Sequence, residues 1–186
     1  MRTLIRLSLV ALMLAVFTVT VFTQPVMAGD TAKLDRAVDK ALKKLYASSP
    51  AAMDLSKTAK AVLVFPKIMK VGLIFGGQYG EGALRMDGKT ADYYNTISAS
   101  YGLQAGAQKF GYALFFMDAA SLEYLNNSAG WEIGVGPSVV FVDEGMARTM
   151  TTTTAREGIY AFTFGQKGLM AGIGIQGSKI TRITPK

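Results

Sequence analysis

The sequence contains neither cysteine nor histidine. Without cysteine there can be no disulfide, no thiol catalysis, no cysteine-ligated metal and no lipid-modified N-terminal cysteine. Without histidine the chain lacks the most common general base and the commonest neutral metal ligand, so Ser-His-Asp catalysis, catalytic zinc and most transition-metal sites are excluded. We therefore expect no cofactor, and the remaining candidates for function are binding, structural roles and carboxylate chemistry.

Residues 1–28 predict a secretory signal peptide. Arg2 and Arg6 give a positively charged start, residues 7–22 form a mostly apolar run, and Val26-Met27-Ala28 places small residues at a cleavage site. The alternative is an uncleaved membrane anchor, because the apolar run is slightly longer than the usual signal core yet shorter than the roughly 20 residues that span a bilayer.

The remaining chain, residues 29–186, is long enough to bury about two-thirds of the surface that its unfolded form exposes, which suffices for one core. We therefore expect a single domain. Export places it in the periplasm or elsewhere outside the cytoplasm, and the lack of cysteine means that it is not a lipoprotein.

Hydrophobic periodicity predicts a helix at the start of this domain. Leu34, Val38, Ala41, Leu42 and Leu45 recur at steps of three and four residues, which places them on one helical face. This face is expected to pack against the rest of the domain.

Residues that favour helix starts mark the helix boundaries. Thr31 is the expected cap of the first helix, and Ser49-Pro50 predicts a short second helix that runs to about Lys60. Asp118 predicts the cap of a third short helix, which ends at Asn126-Asn127.

The rest of the domain is rich in β-branched, aromatic and glycine residues, which predicts strands. Turns are predicted at Asp87-Gly88 and Gln176-Gly177-Ser178, and the lack of long helical crossovers predicts antiparallel pairing. Because glycines inside strands favour bulges and bends, we expect an α+β domain with a curved or barrel-like antiparallel β-sheet, amphipathic helices at its N-terminal side and one short inserted helix. The predicted strands are Ala61–Phe65, Gly72–Met86, Tyr93–Ser100, Gln104–Met117, Trp131–Val142, Thr151–Phe164, Leu169–Gln176 and Lys179–Ile183.

The positive charge of the domain is confined to its N-terminal part. From Asp30 to Lys70 there are nine basic and four acidic residues, whereas from Val71 to Lys186 there are nine of each. A charge this localised indicates an anionic partner at one pole of the molecule.

Within the first helix the cations share one flank. At 100° per residue they fall on an arc from about 180° to about 280° relative to Leu34, and Asp35 and Asp39 lie outside that arc. Like charges four residues apart repel by a few tenths of a kcal/mol per pair, and an anionic surface relieves that repulsion. The five cations are Lys33, Arg36, Lys40, Lys43 and Lys44.

The predicted partner is therefore an acidic phospholipid membrane, bound peripherally. The alternative is a merely solvated face on a helix that packs against the core. Nucleic acid is not expected, because export separates the protein from it and no aromatic residue is interleaved with the cations before Tyr46.

Two glycine-rich stretches are candidate chemical sites. Residues 172–177 match the G-x-G-x-x-G spacing of nucleotide-binding loops. A nucleotide-binding loop also needs a helix directly after it and an acidic residue about 20 positions further on, and this sequence supplies neither. The stretch is therefore expected to form a bent hairpin. Glu81 lies among glycines and could be a catalytic carboxylate if Glu132, Asp143 or Glu144 comes near it. A carboxylate-dependent enzyme centred on Glu81 is therefore one alternative function, and a structural bulge is the other interpretation of this stretch.

A further alternative is a structural or protein-interaction domain of the cell envelope. It predicts that aromatic residues form a large exposed patch, because contiguous apolar surface marks protein interfaces. The residues concerned are Tyr93, Tyr94, Tyr101, Tyr112 and Trp131.

Several separate blocks, in order, resemble the SYLF domain family over about Ala32 to Ile183. This family of lipid-binding modules occurs in eukaryotic endocytic adaptors and in exported bacterial proteins. The blocks are Ala59-Lys60-Ala61-Val62-Leu63-Val64-Phe65-Pro66 with Lys70-Val71-Gly72, Gly76-Gly77 to Gly82, Gly102-Leu103-Gln104-Ala105-Gly106, Gly134-Val135-Gly136-Pro137, and Gly168-Leu169-Met170-Ala171-Gly172 through Gly177-Ser178-Lys179-Ile180.

The resemblance implies binding of phosphoinositides and other acidic lipids through an N-terminal basic amphipathic helix. Fungal members are also described as binding actin, which an exported chain does not meet. By this resemblance the cations of the first helix would contact lipid headgroups, joined by Lys60, Lys67 and Lys70.

Overall fold

The computed structural model describes residues 28–72, 75–101, 106–142, 146–147, 157–168, 175 and 177–184, with the side chains of 28, 29, 101 and 168 excepted. The predicted signal peptide lies outside these ranges except for its last residue. Most of the predicted strand Leu169–Gln176 and of the glycine-rich stretch 172–177 also lies outside them, as does the first part of the predicted strand Thr151–Phe164.

Three helices have described bounds: α1 is Ala28–Ser48, α2 is Pro50–Ser56 and α3 is Ala119–Asn127. The Ser49 hydroxyl accepts a hydrogen bond from the Ala52 N–H at 3.3 Å, and the Asp118 carboxylate accepts one from the Ser121 N–H at 2.7 Å. Both predicted caps are therefore confirmed, since each side chain satisfies a backbone donor that the helix leaves free.

Two helix boundaries differ from the prediction. Thr31 lies inside α1, which begins at Ala28, so the prediction that Thr31 caps it is wrong; Asp30 lies in the first turn, where a carboxylate favours the positive end of the helix dipole. α2 ends before the predicted Lys60, because the Lys60 N–H bonds to the Phe116 carbonyl at 2.7 Å and so enters the sheet.

The strands form one eight-stranded sheet in the order β5-β8-β3-β2-β1-β4-β7-β6. The predicted curved α+β architecture is confirmed, and the sheet has the shape of a curled half-barrel. The strands are β1 (Ala61–Gly72), β2 (Phe75–Met86), β3 (Lys89–Tyr101), β4 (Gly106–Phe116), β5 (Trp131–Glu132), β6 (Val139–Val142), β7 (Ile159–Gly168) and β8 (Lys179–Ile183).

The pairing is antiparallel except between β6 and β7, which run parallel. The expectation of a purely antiparallel sheet is wrong for this pair. The connection from Val142 to Ile159 is long enough for a parallel crossover, which needs a dozen or more residues.

The predicted strand Trp131–Val142 is interrupted. β5 ends at Glu132, and Gly134 and Gly136 then adopt φ values of 106° and 87° before β6 begins at Val139. Those φ values lie in the region that side chains disfavour, and a Cβ at Gly136 would also collide with the Tyr124 ring. The two glycines therefore turn the chain instead of extending it.

A tight turn joins β2 to β3 as predicted. Asp87 and Gly88 have φ values of 49° and 76°, and Met86 pairs with Lys89 across the turn. Positive φ at both central residues is the geometry of a type I′ hairpin turn, for which Asp-Gly is a preferred sequence.

A bulge in β1 bends the middle of the sheet. The register of β1 shifts between Val64 and Lys67 against β2, and between Phe65 and Ile68 against β4. On the β2 side the neighbour is Gly82, where a Cβ would collide with the Val64 carbonyl oxygen. The predicted link between strand glycines and bends is thus confirmed at this position, because only a residue without a side chain permits so close an approach.

The inner face of the sheet is concave and carries the larger core. The Trp131 ring on β5 lies 6.1 Å from the Phe116 ring on β4, although four strands separate β5 from β4 in the sheet order. Such a contact requires the sheet to curl toward this face. The core here includes Leu63, Phe65, Leu84 and Leu114 on the central strands and Leu122 and Leu125 on α3.

The opposite, outer face packs against α1 and α2. Val38 and Leu45 of α1 are buried, and the Tyr46 ring lies 6.5 Å from the Phe115 ring on β4. The sheet residues in this second core are Val62, Val64, Ala83, Ala113, Phe115, Tyr160 and Phe162. The predicted apolar helix face is therefore confirmed as a packing face. Among the described residues, no helix combines the length and apolar character needed to cross a bilayer.

Candidate functional site

The acidic flank of α1, formed by Asp35 and Asp39, binds the helix to the sheet. The guanidinium of Arg85 donates to the Asp39 carboxylate at 2.6 Å and to the Asp35 backbone carbonyl at 3.1 Å. The Asp35 carboxylate accepts hydrogen bonds from the Thr90 hydroxyl at 2.7 Å and the Tyr93 hydroxyl at 2.9 Å. Both acids of this flank are thus bound by groups at the end of the sheet that carries the β2–β3 turn.

These contacts change the chemistry of Tyr93. Burial, together with the hydrogen bond and negative charge of Asp35, raises the pKa of Tyr93, and the nearby Arg85 charge offsets only part of this. The hydroxyl therefore stays protonated and keeps donating to Asp35 well into the alkaline range.

The basic arc of α1 is defined as Lys33, Arg36, Lys40, Lys43 and Lys44, and all five side chains are exposed. The apolar face of α1 is buried and its acidic flank is bonded to the sheet, so the basic arc faces away from the protein. None of the five forms an ion pair within the described part of the chain. The positive charge is therefore not neutralised inside the molecule.

An open groove of about 530 Å³ lies at the C-terminal end of this arc. It is lined by the ends of α1 and α2, the start of β1 and the β2–β3 turn. Four cations line it: Lys43 and Lys60 have no ion pair among the described residues, Arg85 is held by Asp39, and Lys57 lies 2.7 Å from Asp54. The structure thus brings Lys60 next to the basic arc.

Lys67 and Lys70 lie on opposite faces of β1. Lys67 pairs with Glu81 on the outer face and is exposed, on the same side of the sheet as α1. Lys70 shares the inner face with Ile68 and sits between Gln78 and Gln108 of the neighbouring strands. Seven of the eight cations in the predicted binding set are therefore on the helix side of the sheet, and Lys70 is separated from them.

Glu81 has a tyrosine partner. The Tyr79 hydroxyl donates to its carboxylate at 2.6 Å, and burial, together with this contact, raises the pKa of Tyr79. Glu132 lies on β5, separated from β2 by β8 and β3, while Asp143 and Glu144 lie outside the described residues. Within the described part of the chain no group of three acidic residues could hold a metal ion.

The exposed aromatic patch expected of a protein-interaction domain does not form from the predicted residues. Tyr94, Tyr112 and Trp131 are buried, Tyr93 is half-buried, and the side chain of Tyr101 lies outside the described set. Alternation along β3 and packing across the curled sheet turn most of these rings inward.

A different apolar surface, which the sequence analysis missed, lies on the outer face beyond α1. This apolar patch consists of Val71, Phe75, Tyr79 and Ile97, which are 54%, 74%, 47% and 50% exposed. Period-two alternation through β1 and β2 could have placed three of them on one face, but the prediction started β2 at Gly72 and so did not separate the two strands.

No model of a known protein family matches the chain, and no curated protein shows significant similarity to it. The resemblance to the SYLF family therefore stays a prediction.

Proposed function

We propose that the protein is a non-enzymatic module that binds acidic phospholipid or lipid-phosphate headgroups at a membrane of the cell envelope, through the basic arc of α1. The observation that carries this proposal is the division of charge on α1. Its two central acids are bonded to the sheet, whereas its five cations are exposed and unpaired among the described residues. The helix thus presents one sign of charge outward, and an anionic surface attracts it.

The strength of such a contact is modest. Each Lys or Arg close to an anionic bilayer contributes about 1 kcal/mol, so five give roughly 5 kcal/mol before the entropy lost on association is subtracted. We therefore expect weak, reversible docking that falls steeply as salt screens the charges.

The helix docks in its packed state. Val38 and Leu45 are buried against the sheet, and exposing a fully buried aliphatic side chain costs about 1.5–3 kcal/mol. Releasing both for insertion would cancel most of the electrostatic attraction. The cations can meet headgroups without this cost because they already point away from the core.

Two further cations extend the proposed surface. Lys60 lines the same groove as Lys43, and Lys67 lies on the outer face of β1. Lys70 is not included, since a flat membrane that contacts α1 cannot also contact the inner face. The groove between Lys43 and Lys60 is large enough for a phosphate-bearing headgroup.

The sequence features support the same proposal. The predicted signal peptide favours a location in the periplasm or elsewhere outside the cytoplasm, where membranes supply acidic lipid but nucleic acid and cytosolic actin are absent. The resemblance to the SYLF family also favours lipid binding through the N-terminal helix.

Co-sedimentation with vesicles tests the proposal. The protein should bind vesicles that contain an acidic phospholipid at low salt, bind neutral phosphatidylcholine vesicles weakly, and dissociate as salt increases. The triple variant Lys40→Glu/Lys43→Glu/Lys44→Glu should lose about 100-fold in partitioning, because at least three contributions of about 1 kcal/mol disappear.

Two controls separate this effect from general changes in charge or fold. The variant Lys40→Arg/Lys43→Arg/Lys44→Arg keeps the charge and should bind like the parent protein. Lys70→Glu changes a lysine on the inner face of the sheet, which the proposed surface excludes, and should keep most of the binding. Equal binding by the triple Glu variant with an unchanged melting temperature, or no binding of the parent protein to acidic vesicles, would contradict the proposal.

A further inference from the structure

The apolar patch lies on one continuous part of the outer face. Tyr79 on β2 pairs with Met69 on β1 and with Ile97 on β3, so these side chains are direct cross-strand neighbours. Val71 follows Met69 on the same face of β1, and Phe75 begins β2 at the same end of the sheet. Large apolar side chains are therefore grouped at a strand end that α1 does not cover.

Lysines surround this patch. Lys109 pairs with Met69 on one side, Lys167 pairs with Lys109 on the next strand, and Lys179 pairs with Ile97 on the other side. Together with Lys67 they form the lysine rim, and all four are exposed and without an ion pair among the described residues. The acids near them are Glu81, which accepts from Tyr79, and Glu132, which pairs with Lys179 in the register.

The basic arc borders the same surface. On a helical wheel with Leu34 at 0°, the acidic flank of α1 lies at about 100° to 140° and bonds to residues near the β2–β3 turn. Lys33 and Lys44 lie at about 260° to 280° on the same wheel. These two cations therefore face the opposite way along the strands, toward the apolar patch. From Ala83 under α1 to Phe75 the strand extends about 26 Å, so a flat membrane inclined to the strands can touch both the helix flank and the strand end.

Charge complementarity decides which occupant fits. A second copy placed face to face would set two lysine rims against each other, and the repulsion would oppose dimerisation. An anionic bilayer offers phosphates to the rim and hydrocarbon to the centre, as interfacial membrane-binding surfaces require. The apolar patch and its rim thus match a membrane better than they match another copy of this chain.

We propose that Val71, Phe75, Tyr79 and Ile97 enter the boundary between headgroups and acyl chains of an anionic bilayer, while the lysine rim and the basic arc contact the phosphates. This inference rests on the proposed function and adds a second contact to it: the strand end is inserted and the helix is not. Docking then has an apolar component that salt does not screen.

Site-specific labelling tests the insertion, and the absence of native cysteine makes any introduced cysteine unique. The full chain with Phe75→Cys carries an environment-sensitive nitrobenzoxadiazole label; the matched control is Glu123→Cys, on the exposed side of α3. On vesicles of phosphatidylcholine with phosphatidylserine the label at 75 should shift to the blue and be quenched by brominated lipid. The label at 123 should do neither.

A second variant keeps the test independent of the label. Val71→Ser/Phe75→Ser removes exposed apolar groups and should lower partitioning about 10-fold by the same factor at every salt concentration. The triple Glu variant of the basic arc should instead flatten the salt dependence. Unchanged melting temperatures would show that both proteins are folded.

The outcomes separate the two proposals. Vesicle binding with a solvent-exposed label at 75 and no loss in the double Ser variant would overturn the insertion and leave the headgroup binding by α1 intact. No binding to acidic vesicles would overturn both. A label at 75 that is already in apolar surroundings without lipid would also overturn the insertion. If that signal also changes with protein concentration, the occupant is a second copy.

Discussion

The outer face of the sheet has two halves built from the same strands but used differently. In one half Val64, Ala83 and Phe115 lie beneath α1 and α2. In the other half Val71, Tyr79 and Ile97 are about 50% exposed, and none of the described helices lies above them. The two halves meet at the β1 bulge. The comparison shows that alternation along a strand decides which residues share a face but not whether that face is covered.

The covered half contributes stability, whereas the proposed membrane contact uses the open half. Exposed apolar patches promote association, so the apolar patch lowers the solubility of a domain whose charge is balanced from Val71 onward. Its position next to the basic arc is consistent with the proposed membrane contact. Three comparisons of variants between the halves, in order of decreasing effect, test this division.

The largest difference is expected between Leu45→Ala and Ile97→Ala. Leu45 is buried between α1 and the sheet, so its truncation leaves a cavity and should cost about 2–5 kcal/mol of the free energy of unfolding. Ile97 is half-exposed in the open half, and its truncation should change stability by no more than about 0.5 kcal/mol. Urea unfolding of both variants measures this. Similar losses in the two would mean that the open half is packed against something in solution.

The second-largest difference concerns the Arg85 contacts that hold α1 on the covered half of the sheet. The Arg85 side chain is only 11% exposed and binds Asp39 at 2.6 Å, so Arg85→Ala should cost about 1–3 kcal/mol and speed hydrogen exchange in α1. The control is Arg182→Ala, which removes an ion pair of equal length whose partners are 49% and 32% exposed. A pair this exposed contributes at most about 1 kcal/mol. Equal losses, or unchanged exchange in α1, would show that Arg85 does not hold the helix.

The smallest difference in stability is expected between variants of two tyrosines, each of which donates a hydrogen bond to a carboxylate. Tyr93 in the covered half bonds to Asp35 on another element, so Tyr93→Phe should cost about 1 kcal/mol at pH 7. Tyr79 in the open half bonds to Glu81 on its own strand, so Tyr79→Phe should cost only a few tenths of a kcal/mol. Urea unfolding at pH 7 measures both values. A larger loss for Tyr79→Phe would reverse the assignment of the two halves.

The same tyrosines predict how stability depends on alkaline pH. In the folded protein the pKa of each hydroxyl lies above its ordinary value of 10.0, so the folded state keeps a proton that the unfolded state loses. The stabilisation is therefore fully present below about pH 10 and declines as the pH rises beyond it. Unfolding at pH 7 and pH 11 should show this decline, and each Phe variant should lose less than the parent protein over that interval.

Much of the local structure was predictable because it depends on neighbours in sequence. Ser49 and Asp118 cap their helices, and Asp87-Gly88 forms its turn, since each needs only a few adjacent residues. The apolar face of α1 also followed from its 3.6-residue period. The break between β5 and β6 did not, because apolar composition hid the positive φ values of Gly134 and Gly136.

The candidate site was only partly predictable. The basic arc follows from the sequence, and all of its side chains are exposed. The separation of Lys70 from Lys67 depends on which face of β1 each occupies relative to α1, and the apolar patch depends on where α1 stops covering the sheet. Both are set by contacts between residues far apart in the chain, such as Arg85 with Asp39, which no local pattern encodes.

By itself the sequence determined the excess of positive charge near the N-terminus, the amphipathic first helix and the absence of thiol and imidazole chemistry, because composition and short-range periodicity suffice for each. Tertiary structure alone decided that the acids of that helix turn to the sheet while its cations turn outward, and that an apolar strand end lies beyond the area that α1 covers. The physical reason is that strand register, sheet curl and helix rotation are settled together, when distant side chains compete for burial and for charged partners.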